Sequence, residues 1–183
     1  MLNLEDLDLG QLRERLVLLR SAIVEDEELS AEREAIWTLP GFGAGARVAT
    51  GFGQVPVEAL RLRDPVKTRD GLFLQVKHID TIRLDRRFLL THPDAQPVEI
   101  PKNSLAANAP NRDVLLSGGQ KIRLPGRLDQ TVGKPAKDCA GVGKVQRKHQ
   151  GYFTYYVFHC GEPCVASVDG LWVDIDPTQL KAP

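Results

Sequence analysis

Residues 41–71 read GFGAGARVATGFGQVPVEALRLRDPVKTRDG, and this stretch decides the fold. Its grammar is a short β-prone run, a Gly or Pro turn, and another run. Arg47-Val48-Ala49-Thr50 alternates between two faces, and Gly51-Phe52-Gly53 turns the chain. Val55-Pro56-Val57-Glu58 starts a new run, Leu60 and Leu62 follow, and Asp64-Pro65 breaks it. Val66-Lys67-Thr68 is a further strand, and Asp70-Gly71 is a hairpin turn of the kind that needs positive φ. Beyond it the spacing predicts one long strand over 72–80 and a strand pair over 81–90 turning at Asp85-Arg86-Arg87. A short edge strand follows at Val98–Pro101, then a hairpin over 113–124 around Gly118-Gly119-Gln120. Strands at Tyr152–Phe158, Cys164–Val168 and Leu171–Ile175 close the pattern, the last two joined by Asp169-Gly170. Short strands joined by Gly/Pro turns make the body mainly β.

The chain has 183 residues, enough for one domain with an appendage. Twenty-four Lys and Arg balance twenty-four Asp and Glu, which argues against a nucleic-acid binder. No apolar run approaches the roughly 20 residues that span a bilayer. The acidic N-terminus lacks the features of a secretory signal. Three cysteines make an odd count and no disulfide framework, so the expected compartment is the cytoplasm.

The charge is asymmetric. Residues 1–36 carry ten acids and four arginines, leaving a mildly basic body. Within this acidic arm Leu12, Leu16, Leu19 and Ile23 recur at helical spacing after an Asp8/Gln11 capping pattern. The stripe packs either on the chain's own body or on another protein. The domain plan is an arm over 1–39, a β body over 40–176 with a basic, solvated excursion over 125–150, and a tail over 177–183.

The 41–71 stretch resembles the Hint (hedgehog/intein) autoprocessing domains, most closely their bacterial branch. The match rests on Phe42, Gly45, Val48-Ala49-Thr50, Gly53, Val55-Pro56-Val57-Glu58, Leu60, Asp64, Val66 and Asp70-Gly71, and on the closing Asp169-Gly170 turn. The resemblance implies an all-β fold whose first and last segments meet. It also implies an acyl shift, in which a first-position Cys attacks the preceding carbonyl and a His in an S-P-x-H block protonates the leaving amide. Here Gly41 stands in the Cys position and Gln120, in Ser117-Gly118-Gly119-Gln120, stands in the His position. Gly41 has no nucleophile and an amide does not titrate near neutral pH, so self-cleavage is expected to be lost. The alternative is an autoprocessing domain that uses Cys160 or Cys164, with His159 beside Cys160. Members of this branch also occur in proteins exported without an N-terminal signal.

The expected function is therefore a non-cleaving Hint-like module that binds a protein partner or a second copy of itself, or serves as one part of a larger assembly. No cofactor is called for. A zinc site at His159, Cys160, Cys164 and Cys139 is disfavoured, because consecutive residues on a strand point opposite ways. Deletion of residues 1–36 should leave a folded body that loses its oligomer or its captured partner. An assembly unchanged by the deletion would contradict the docking role of the Leu12–Ile23 stripe.

Overall fold

A computed structural model describes residues 37–124 and 133–180. The expected helical arm, with Leu12, Leu16, Leu19 and Ile23, lies outside the described residues, as does the first part of the 125–150 segment. The described residues belong to one compact unit beginning at Trp37.

The opening stretch forms β1 (Arg47–Thr50), β2 (Gly53–Pro56) and β3 (Pro65–Lys67), and the Asp70-Gly71 turn leads into β4 (Phe73–Gln75). Gly71 adopts φ +85°, as the hairpin signal requires. The Glu58 carboxylate accepts the Gly45 N–H at 2.9 Å. At the far end of the chain β12 (Cys164–Val168) and β13 (Leu171–Ile175) form the expected hairpin. Its Asp169 side chain, 2 % exposed, accepts the Arg47 N–H at 3.0 Å and ties the first strand to the last. Burial pushes the Asp169 carboxyl up, and the Arg47 N–H and the nearby Arg112 and Arg47 charges oppose that. Val48 pairs with Val168 across β1 and β12, so the first and last segments meet as expected. Among the described residues this sheet runs β4-β3-β1-β12-β13-β8-β9, with β2 also on β1; β8 is Lys121–Arg123 and β9 is Lys134–Pro135. Val48, Val66, Ile122, Val168 and Val173 line its core face and are almost fully buried.

Four expectations need correction. Residues 72–80 are not one strand: the chain leaves β4 at the buried Val76, whose main chain bonds Arg63 and Asp64, and enters β5 (His78–Leu84). β5 pairs along its whole length with β11 (Phe153–His159) in a separate ribbon. Residues 86–91 are a helix, α1 (Arg86–Thr91), because the Asp85 carboxylate accepts the Phe88 N–H at 2.8 Å and caps it. That local bond outweighs the β propensity of Phe88 and Thr91. Val98–Ile100 (β6) is central rather than an edge, lying between β7 (Val114–Leu116) and β10 (Gln146–Arg147), with Val98 and Ile100 buried. Finally, β7 and β8 do not form a hairpin: β7 pairs with β6 while β8 pairs with β13, and the Gly118-Gly119 turn carries the chain from one sheet to the other.

The segment from Gly133 to Gln150 is also more integrated than a solvated loop. Ala136, Cys139 and Val145 enter the core, Arg147 donates to the Asp94 and Gln96 carbonyls, and Lys148 pairs with Glu99. Lys134, Asp138 and Lys144 are exposed above this apolar underside, a pattern too irregular for periodicity to reveal. Among the described residues no helix is long and apolar enough to cross a membrane.

Asp85→Ala removes the cap of α1 and should lower stability by about 1 kcal/mol in chemical denaturation. No measurable loss would mean that the helix is held by its packing alone.

Candidate functional site

Gly41 and its neighbours lie in the seam between the small sheet and the ribbon. Phe42 exchanges two main-chain bonds with Tyr156, at 2.9 and 2.8 Å. The Gly43 N–H donates to Leu115 at 2.8 Å, and the Ser117 N–H donates to the Gly41 carbonyl at 2.9 Å. The strand thus has a neighbour on each side. A Cβ placed on Gly41 would lie 2.8 Å from Tyr155 Cβ, closer than real side chains come. Tyr155 is itself fully buried, with its hydroxyl donating to the Ala95 carbonyl at 2.8 Å. Burial pushes its phenol far above the ordinary range.

The residues just before Gly41 are held by the turn that follows β7. The Ser117 hydroxyl donates to the Leu39 carbonyl at 2.5 Å. It accepts the Trp37 indole N–H at 2.8 Å and the Gly119 N–H at 3.3 Å. One donor and two acceptors are the full capacity of a hydroxyl, and all are used. Trp37 stacks on Tyr155 and meets Phe88 edge-on, with ring centroids 6.0 and 5.9 Å apart, and its main-chain N–H donates to the Asp94 carboxylate. On Gly119 the fit is tighter still. A Cβ there would lie 2.2 Å from the Thr38 carbonyl oxygen, so only glycine allows residues 38–39 to lie against this turn.

Gln120 completes the same turn and is 1 % exposed. Its side-chain amide donates to the Asp174 carbonyl at 2.9 Å and to the Lys121 carbonyl at 3.2 Å. Asp174 in turn accepts the Arg123 Nε–H and the Gly133 N–H, each at 2.7 Å. The two positions singled out in the sequence, Gly41 and Gln120, are brought together through Ser117, which bonds the first and shares a turn with the second.

His159 ends β11 of the ribbon, Cys160 follows it, and Cys164 begins β12 of the main sheet. Cys160 follows β11 and lies four residues beyond Tyr156, the partner of Phe42, a span of about 13 Å along a strand. Its thiol donates to the Leu74 carbonyl at 3.9 Å, and the Cys164 side chain holds it below the ordinary thiol range. His159 stacks on His78 with centroids 5.1 Å apart, and its Nδ1 accepts the Gly161 N–H. Partial burial and His78 lower its pKa. Among the described residues no three His, Cys, Asp or Glu side chains gather where they could hold a metal ion.

Sequence reasoning missed Trp37 and Tyr155. Trp37 precedes the β pattern and falls within the 1–39 arm, and Tyr155 is one aromatic among several in a β-prone run. The alternation Phe153, Tyr155, Val157 marks the inward face, and the Trp four residues before Gly41 was the available sign.

A family model of the Hint domain matches residues 40–174. No curated protein matches the chain. Among solved structures, the chain is similar to the MchDnaB-1 intein, with 11 % identity over 74 % of this chain and 99 % of that one at a TM-score of 0.42. It is similar to the gp41-1 intein, with 9 % identity, 73 % and 97 % coverage and a TM-score of 0.42. A splice-inactive variant of the AceL NrdHF class 3 split intein gives 13 % identity, 73 % and 95 % coverage and a TM-score of 0.44.

Ser117→Ala removes a donor from the Leu39 carbonyl and an acceptor from the Trp37 indole. It should cost about 1–3 kcal/mol and move Trp37 emission to the red, read in a Trp172→Phe background. Unchanged stability and emission would show that the hydroxyl does not hold the segment.

Proposed function

The chain belongs to the Hint domain family, and from that premise we propose that it does not cleave itself but keeps the segment 37–40 clasped in the old cleavage site. The observation that carries this reading is the fit of Gly41 on Tyr155, where a nucleophilic side chain has neither atoms nor room. Self-cleavage in this family requires a thiol or hydroxyl at the position of Gly41 to attack the Pro40 carbonyl. It also requires a group at the position of Gln120 that can give a proton to the departing amide. Gln120 is an amide, and its N–H groups are directed at main-chain carbonyls.

The clasp supports a structural role. Trp37, Leu39 and Ser117 fix the point at which the acidic arm joins the β body. The body then serves as the mount for that arm, and the arm's apolar stripe is the element that meets a protein partner or a second copy of the chain. The rival reading, self-cleavage from Cys160 or Cys164, needs a thiol against the Pro40 carbonyl; the Cys160 thiol is directed at the Leu74 carbonyl, and Cys164 lines a cleft with Leu72 and Leu74.

The purified chain should give one species of full-length mass at neutral pH, with and without dithiothreitol. A fragment ending at Pro40, appearing on addition of the thiol, would overturn the reading and point to a substitute nucleophile.

A further inference from the structure

Among the described residues β4 is the last strand of the main sheet, with β3 on one side of it and no strand on the other. The Thr68 N–H donates to the Leu72 carbonyl at 2.9 Å, and the Val76 N–H donates to the Asp64 carbonyl at 3.0 Å. The register places Val66 opposite Leu74 between these two bonds. Bonded and unbonded pairs alternate along an antiparallel ladder, so Leu74 is the bonded residue of β4. The main-chain groups of Phe73 and Gln75 then face away from β3. β3 shows the same parity: Pro65, opposite Gln75, turns its carbonyl the other way, to the Gly51 N–H at 2.8 Å. Two N–H and two C=O groups therefore stand along an open sheet edge, a template for a further strand.

The side chains beside this edge are apolar. Leu72 and Phe73 are 59 % and 54 % exposed, where an edge strand is ordinarily blunted by charge or proline. The Phe73 ring reaches toward Gly51 on one face of the sheet. On the other face Leu72 and Leu74 wall a cleft of about 510 Å³ with Pro163, Cys164 and Val165. A strand laid along β4 would place alternate side chains over Phe73 and into this cleft. Charge decides what that strand carries. Arg61, Arg63, Lys67, Arg69 and Lys77 are all exposed around the edge. Against them stand Glu162, on the cleft wall, and two acids already engaged: Asp64 accepts the Arg61 N–H at 2.8 Å, and Asp70 accepts the Thr68 hydroxyl. Two copies joined edge to edge would bring like charges together, whereas an acidic chain is attracted.

We propose that the β4 edge is a docking site for an acidic segment of another protein, added to the main sheet as an extended strand in which apolar residues alternate with Asp or Glu. This surface lies outside the 37–41 clasp and does not rest on whether the chain cleaves itself. The test uses the full chain and a fluorescein-labelled synthetic decapeptide of alternating Val and Glu, with a Val/Lys peptide as its counterpart. Binding is read by fluorescence anisotropy and by amide hydrogen exchange in NMR spectra. The Val/Glu peptide should bind saturably and more weakly as salt is raised, and the Val/Lys peptide should not bind. The Phe73 and Gln75 N–H groups should exchange fast in the free chain and become protected in the complex. Gln75→Pro removes one outward donor and no bond to β3, so it should keep the parent melting temperature and weaken binding roughly tenfold. Lys67→Glu should also weaken the Val/Glu peptide and narrow its advantage over Val/Lys. If Gln75→Pro does not fold, Lys67→Glu and the exchange map decide. Four outcomes would overturn the proposal: no binding of the Val/Glu peptide, equal binding of both peptides, protection confined to residues away from β4, or Phe73 and Gln75 already protected before peptide is added.

Discussion

The close approach of Gly41 to Tyr155 is the constraint on which the rest of the site depends. With no side chain at 41, the strand 41–43 lies flush on the ribbon, and Phe42 can exchange both of its main-chain bonds with Tyr156. The same placement lets Gly43 and Gly41 reach Leu115 and Ser117 on the other side. Three residues therefore join the ribbon to the small sheet. Phe42 stacks on Phe158 with ring centroids 5.8 Å apart, adding an apolar contact to the polar seam. A buried main chain without partners would cost more than these bonds return, so the seam forms as a whole or not at all.

The clasp on residues 37–40 follows from that seam. Ser117 donates its main-chain N–H to Gly41, which places its hydroxyl at the Leu39 carbonyl and under the Trp37 indole. Gly119 leaves the space that the Thr38 carbonyl fills. In the Hint frame this is where a scissile bond and its catalytic groups would meet. On the proposed reading, the geometry of substrate binding persists while the groups that break the bond are replaced. The absence of a side chain at Gly41 admits Tyr155, and the Gln120 amide donates to the carbonyls of Asp174 and Lys121.

Much of the fold was legible in the sequence, because its turns are chemically demanding. Asp70-Gly71 and Asp169-Gly170 require positive φ, and both turns appear where the residues place them. The β-strands of the first and last segments followed from alternation between such turns. What was not legible depended on contacts remote in sequence. Gly118-Gly119 reads as a hairpin by local rules, yet it crosses between sheets because Thr38 and Leu39 pack on it. Val76 interrupts an unbroken alternating run because its main chain is captured by Arg63 and Asp64. At the site, the resemblance singles out Gly41 and Gln120 in the sequence. It does not single out Trp37 and Tyr155, since neither aligns with a catalytic position and their pairing spans the whole body.

A crystal structure of the purified chain at a resolution that defines the 37–43 backbone tests the central claim most directly. It should show an unbroken Pro40–Gly41 peptide, the Tyr155 ring against Gly41, and the Leu39 carbonyl on the Ser117 hydroxyl. A broken peptide at Pro40–Gly41, or residues 37–40 lying away from the Ser117 turn, would contradict it.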